Sequence, residues 1–240
     1  YVRDMILLEK FLLVEDWNVD KAAVRLATYF RWKKDVFGES KLAQHITQAD
    51  LDAETLDALY GGYTVDLPLP DAAGRMVTVS RTTTKWSKMA KLRRTLYTSM
   101  ASTGSIDNRS KRKGRVLVYW TWAGEMNASF NAASMQALYK SVAGIPVKIS
   151  AIHFCVAGFG KDDFPEDMIL SWSAAANPRS LVRTKIHHGT PAEIKRSLAG
   201  YGIPAMTIPV SDDGEWHITH AVHEKWFLLR KEEERARAAQ

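Results

Sequence analysis

Apolar residues recur at helical spacing through residues 4–34, first as Leu7, Leu8, Phe11 and Leu12, then as Ala22, Ala23, Leu26, Tyr29 and Phe30. The polar interruption Asp16-Trp17-Asn18-Val19-Asp20 divides the run and predicts a helical hairpin, with Asn18 or Asp20 as N-cap of its second helix. Residues 47–52 carry capping chemistry for a short helix through Leu59, which Gly61-Gly62 stops. Residues 65–69 and 76–80 flank Pro70-Asp71-Ala72-Ala73-Gly74, and the alternation of Val77 and Val79 predicts a strand pair or strand-loop-strand there. Helical spacing returns over 85–100, with Trp86, Met89, Leu92 and Leu96 on one side.

The pattern then changes. Residues 115–120 are apolar without alternation, which predicts a strand buried on both faces. A helical stretch over 130–142 ends before Pro146, and a second apolar strand follows over 147–157. Helix between two such strands is the βαβ pattern, so the sheet is expected to be parallel and the fold α/β. Residues 164–176 predict a short amphipathic helix holding Met168, Ile169 and Trp172. A third strand is expected over 181–188, ended by Gly189. Thr190, with Pro191 at the first helical position and Glu193 at the third, opens a capped helix through Leu198. The last twenty residues begin apolar with Trp226, Phe227, Leu228 and Leu229 and then alternate in charge.

Composition narrows the class further. The 240 residues are 46% hydrophobic and 25% charged, which excludes wholesale disorder and collagen-like or coiled-coil architectures and suffices for a substantial core. Cys155 is the single cysteine, so an internal disulfide framework and a cysteine-rich zinc site are excluded and a reducing compartment is expected. No apolar stretch reaches the roughly 18 residues of a membrane span, and the beginning of the chain lacks a secretory signal pattern, so a cytoplasmic location is expected.

Most catalytic signatures fail in detail. Gly158-Phe159-Gly160 follows an expected strand, but Asp163 stands where a dinucleotide fingerprint needs glycine or alanine. Gly160-Lys161 is followed by Asp162, so it is no phosphate loop, and no Gly-x-Ser-x-Gly elbow occurs. Cys155, between Phe154 and Val156, reads as a small buried hydrophobe. His217, His220 and His223 follow at intervals of three and would spread over about 120° of one helix, a loose metal site without an acidic partner cluster. His187 and His188 are adjacent on a strand and point to opposite faces, His188 lining a cavity and His187 packing under a helix.

The 33 Lys and Arg exceed the 27 Asp and Glu, leaving a formal charge of +6. Lys85, Lys88, Lys91, Arg93 and Arg94 share one expected helix, and Arg109, Lys111, Arg112, Lys113 and Arg115 crowd the loop before the first inner strand. No nucleic-acid-binding motif accompanies them. Composition leaves open the choice between an anionic membrane surface, where each basic residue contributes on the order of 1 kcal/mol, and ordinary solvated faces.

Several of these segments together resemble one family. Phe11-Leu12, Trp17-Asn18-Val19-Asp20-Lys21-Ala22 and Tyr29-Phe30-Arg31-Trp32-Lys33-Lys34 look like the N-terminal helical module of CRAL-TRIO lipid-transfer proteins, which include phosphatidylinositol-transfer proteins. Pro70-Asp71 with Gly74-Arg75-Met76-Val77, then residues 144–154 with Pro146, then 181–189 and 198–204, are similar to the family's later signatures. The likeness spans residues 8–209 and lies in order and spacing. Where the family has Arg-x-Arg after the first helical Phe-Leu, this chain has Leu13-Val14-Glu15.

The resemblance implies a mostly parallel sheet with helices on one face and a hydrophobic lipid pocket on the other. It implies a helical module over 1–60, a lipid-binding domain over 61–225 and a charged C-terminal helix or tail over 226–240. Val116, Val118, Trp120, Ser150, Ile152, Phe154, Ile186 and His188 would line the pocket, and Met168, Ile169 and Trp172 would belong to its gating helix. Lys148 and Lys185 match the family's two basic headgroup positions, whereas Val147 and Val182 replace its acid and threonine, so strict phosphatidylinositol selectivity is not implied. The expected activity is non-enzymatic and needs no cofactor: one lipid or other hydrophobic molecule is bound and transferred or presented during transient docking on an anionic membrane. The alternatives are an interaction module with a filled pocket, reaching a partner or further domain through the tail, and, last, a metal-dependent enzyme on His217, His220 and His223.

Overall fold

The computed structural model describes residues 5–105, 113–125, 143–158, 167, 170–171, 182–217 and 220–238. The expected hairpin is present as α1, Met5–Val14, and α2, Val19–Phe37. Asn18 caps α2 by accepting from the Lys21 N–H at 3.0 Å. The turn between them holds Asp16 and Trp17 at φ 51° and 64°, and the Trp17 N–H donates back to the Leu12 carbonyl at 2.8 Å, closing the end of α1. Phe11 and Tyr29 meet across the hairpin with ring centroids 5.5 Å apart, in a cluster with Leu7 and Ala22. Lys33 lies fully buried at the end of this seam and donates to the carbonyls of Leu42 and Gln44, and burial pushes its ammonium down to about 8.

The capping residues expected over 47–52 serve two elements rather than one helix. Thr47 caps a 3-10 turn, Gln48–Asp50, and Asp52 then caps α3, Ala53–Tyr60, by accepting from the Thr55 N–H at 2.7 Å. Two capping residues so close together restart the chain rather than continue it.

Among the described residues five strands form one sheet in chain order: β1, Thr64–Asp66; β2, Met76–Arg81; β3, Arg115–Trp122; β4, Ile149–Ala157; and β5, Thr184–Gly189. The pair β1–β2 is antiparallel, and β2 to β5 are parallel throughout. The expected strand pair and the parallel pairing of the apolar strands are therefore both present. Helix α4, Lys88–Ser105, connects β2 to β3 and puts Leu96 into the hairpin cluster. Buried Arg94 ties α4 to the sheet by donating to the Thr64 carbonyl at 2.8 Å while its guanidinium lies 4.6 Å over the Tyr63 ring. The helices expected over 130–142 and 164–176 fall largely or wholly outside the described residues.

Helix α5, Pro191–Gly200, opens with the capping box read from Thr190 and Glu193 and with proline at its first position. Its Ile194 and Leu198 pack on Val77, Val79, Val116, Val118, Trp120, Cys155 and Ala157, and the chain after it adds Ile203, Ile208 and Val210. This is the main core, and it covers one face of the sheet.

The last described helix, α6, His220–Ala238, contains residues 226–238 of the expected charged C-terminal helix or tail. It buries Phe227 among Leu51, Leu59 and Tyr97 and buries Arg230. Glu234 accepts from the Tyr97 hydroxyl at 2.8 Å and from the Gln48 N–H at 3.2 Å. Burial and the Glu234 carboxylate push the Tyr97 phenol upward, which keeps it a donor. A hydrogen bond to a charged group contributes about 1.5–3 kcal/mol, so Tyr97→Phe is expected to cost about that much and to raise amide exchange along α6 first. Hydrogen exchange read by mass spectrometry checks this, and unchanged α6 protection would remove Tyr97 as its anchor.

Candidate functional site

Side chains on a strand alternate between faces, so the register of the sheet decides which residues share one. Val77, Val116, Ala151, Cys155 and Ala157 lie on the α5 side, and so do Val118 and Trp120. The intervening residues Leu117, Tyr119 and Thr121 lie on the opposite side, level with Ile152, Phe154 and Val156 of β4 and Thr184, Ile186 and His188 of β5. Tyr119 and Phe154 stack there with centroids 5.5 Å apart and rings inclined by 22°. Phe154, Val156 and Thr121 are fully buried, while Leu117, Tyr119, Ile186 and His188 are half-buried.

This register divides the expected pocket lining. Ile152, Phe154, Ile186 and His188 share the face opposite α5. Val116, Val118 and Trp120 do not, being packed against Ile194 and Leu198 on the other side. The reason is the apolar character of β3 on both faces, which leaves its phase unreadable from hydrophobicity. Ser150 lies in the irregularity where the β3–β4 register shifts between Arg115 and Val116, and its hydroxyl donates to the Lys113 carbonyl at 2.7 Å. Met168, Ile169 and Trp172 lie outside the described residues.

The two expected headgroup lysines are not brought together. Lys148 precedes β4 and bridges to Asp16 at 3.0 Å. Lys185 pairs in register with His153, five residues further along, about 16 Å of strand away. Lys185 is exposed on the α5 side, where its charge acts on His153 and His187.

Those two histidines form a buried polar chain beneath α5. His153 Nδ1 and His187 Nε2 are 2.8 Å apart, and His187 Nδ1 lies 2.9 Å from Ser197 Oγ. Tyr201 sets its ring edge-on against both imidazoles, at 5.1 Å and 5.5 Å. Burial, then the charge of the other imidazole and of Arg75 and Lys185, pushes His153 down to about 3; burial, His188 and Lys185 push His187 down to about 4. Both rings are neutral near pH 7, with one proton between them and one shared with Ser197. The opposite-face reading of His187 and His188 holds, with His187 under the helix. His153 and Ser197 as its partners were missed; the only signal was a capped helix folding back from β5, which brings residue 197 over residue 187.

Lys85 bridges to Asp57 at 3.0 Å, Arg93 donates to the Val36 carbonyl at 3.1 Å and pairs with Asp52, and Lys91 donates to the Thr83 carbonyl. With Arg94 buried, most of this basic cluster serves internal contacts. In the second cluster Lys113 donates to the Ala73 carbonyl at 2.6 Å and Arg115 lies 3.4 Å from Asp66, while Arg109, Lys111 and Arg112 lie outside the described residues. His217 stands outside α6, exposed and 3.2 Å from Glu215, whereas His220 opens that helix, so the three histidines do not share one helix. Among the described residues no group of three or more His, Cys, Asp or Glu side chains is arranged to hold a metal. None of their helices is long and apolar enough to cross a membrane. No protein-family model and no curated protein matches the chain, so what stands established is the α/β fold itself, with its five-stranded, mostly parallel sheet.

Proposed function

We propose that the chain is a non-catalytic carrier that binds one lipid or other hydrophobic small molecule on the β3–β5 face opposite α5, and transfers or presents it at an anionic membrane. The observation that carries this reading is the composition of that face. Leu117, Tyr119, Ile152, Phe154, Val156 and Ile186 give it apolar and aromatic area, and Thr121, Thr184 and His188 add a few polar groups. That balance suits a lipid site, in which apolar burial gives affinity and sparse polar groups give orientation. Burial contributes about 25 cal/mol per Å² of apolar surface, or about 0.8 kcal/mol for each methylene, so one acyl chain supplies ample driving force. The order of elements, a helical hairpin followed by this sheet, supports a CRAL-TRIO-like carrier.

Native mass spectrometry of the freshly purified chain, followed by organic extraction, tests the proposal. A discrete added mass that extracts as a lipid is the expected result. Leu117→Glu and Ile186→Glu, both at half-buried positions, are expected to lower loading at least about tenfold, because a charge on this face meets the ligand rather than water. A bare protein that also refuses phospholipids, sterols and isoprenoids would sink the proposal and favour an interaction module whose face is filled by its own side chains.

A further inference from the structure

The hydroxyls on the face opposite α5 fall into two groups. Along β1 and β2 they are partnered within the sheet: Ser80 Oγ lies 2.9 Å from Thr64 Oγ1, and Thr78 Oγ1 donates to Asp66 at 2.5 Å. At the C-terminal end of β2 and β3 they are not. Thr82 Oγ1 and Thr121 Oγ1 are both buried without a hydrogen-bond partner among the described residues, and Thr121 is wholly inaccessible. The register Arg81 to Trp120, continued by the Thr82 N–H donating to the Trp120 carbonyl at 2.8 Å, brings Thr82 and Thr121 side by side on neighbouring strands.

A buried hydroxyl without a partner is unfavourable, so two adjacent ones at the carboxyl end of neighbouring strands call for a partner that the described residues do not supply. Lys91 of α4 donates to the carbonyl of Thr83, one residue along from Thr82, and an ammonium has three donors of which this carbonyl uses one. Half-buried, Lys91 is pushed downward by burial while Glu54 raises it. Arg81 and Glu125 occupy the same end of the sheet, but Arg81 lies 4.6 Å over Trp122 and 3.4 Å from Glu125, on the α5 side.

We propose that Thr82, Thr121 and Lys91 form a subsite for an anionic oxygen group, a carboxylate or phosphate at the head of an amphiphile whose chain lies along Leu117, Tyr119 and Phe154. This rests on the lipid-binding reading and specifies the ligand's chemical class and its direction in the site. Two hydroxyl donors and an ammonium match an oxygen anion, and the neighbouring apolar face takes the chain.

The test compares 1-octadecene, oleyl alcohol, oleate and oleyl phosphate on the delipidated full chain, with acetate and inorganic phosphate as head groups alone. Oleate or oleyl phosphate is expected to bind about 10- to 100-fold tighter than octadecene, their rank distinguishing a carboxylate from a phosphate source. Thr82→Val and Lys91→Met are each expected to remove most of that preference while leaving octadecene affinity unchanged, and Thr121→Val is expected to remove it as well, read as the ratio of oleate to octadecene affinity in that variant. Because Thr121→Val removes an unpaired polar atom at constant shape, the ligand-free variant is expected to melt no lower than the parent. If the parent binds the four chains equally, or the variants keep the preference, the subsite is refuted and the carrier survives. If the parent binds none of them, both fall. Tight binding of acetate or inorganic phosphate without a chain would refute the amphiphile assignment.

Discussion

Trp120→Ala is expected to cost about 3–5 kcal/mol of folding stability, whereas truncating its neighbour Tyr119 to alanine costs less and acts mainly on ligand loading. Trp120 is wholly buried in the cluster under α5, touching the layer built by Ile194, Leu198 and Ile208, so deleting its indole leaves a large hole that packed neighbours fill poorly. Tyr119 points the other way, is half-buried and stacks on Phe154. Aromatic pairs of this kind contribute about 0.5–1.5 kcal/mol beyond their area, a loss the chain can absorb within a typical stability of about 5–15 kcal/mol. Urea unfolding of the two variants, with ligand loading read on the same samples, checks the pair. The reverse ranking, in which Tyr119→Ala unfolds the chain and Trp120→Ala only empties it, would mean that the face assignment of β3 is inverted.

That prediction also shows where the sequence was readable. Helix ends were legible because caps act through local hydrogen bonds: Asn18 and the Thr190–Glu193 box stand where their chemistry requires. Parallel pairing was legible because strands apolar on both faces need cover on both. The same property hid the phase of β3. When Val116 and Leu117 are equally apolar, only their neighbours in space tell which side each takes, and the register puts Val116, Val118 and Trp120 on the other side of the sheet from Ile152 and Phe154, with which the sequence groups them. Lys148 and Lys185 likewise fit a headgroup pair in linear order, yet the β4–β5 register sets them far apart. The polar subsite was invisible for another reason. Thr82 and Thr121 are ordinary strand threonines in the sequence, and their lack of partners exists only once α4 and the strand ends are in place.

Acidification from pH 6.5 toward pH 4 is expected to remove about 5 kcal/mol of stability through His153 and His187 alone. In the unfolded chain each imidazole takes a proton near pH 6.5. In the fold His153 is pushed down to about 3 and His187 to about 4, first by burial, then by the positive groups around them. Arg75 comes from the turn before β2, and Lys185 and His188 from β5, while Asp71 opposes them; α5 contributes the Ser197 hydroxyl, and Tyr201 just after it sets its ring against both imidazoles. The unfolded state therefore binds more protons than the fold throughout this window, so stability is full above pH 6.5 and falls as pH drops. Each group contributes a slope of up to about 1.4 kcal/mol per pH unit. A second proton on the pair turns both facing nitrogens, 2.8 Å apart, into donors and separates β4 from β5 beneath α5. The double variant His153→Gln/His187→Gln keeps hydrogen-bonding side chains but cannot titrate. It is expected to hold its urea midpoint nearly level from pH 6.5 to 4.5, above the range where most carboxylates protonate. If parent and variant lose stability in parallel over that window, the acid sensitivity belongs to other groups and the imidazole pair is not its source.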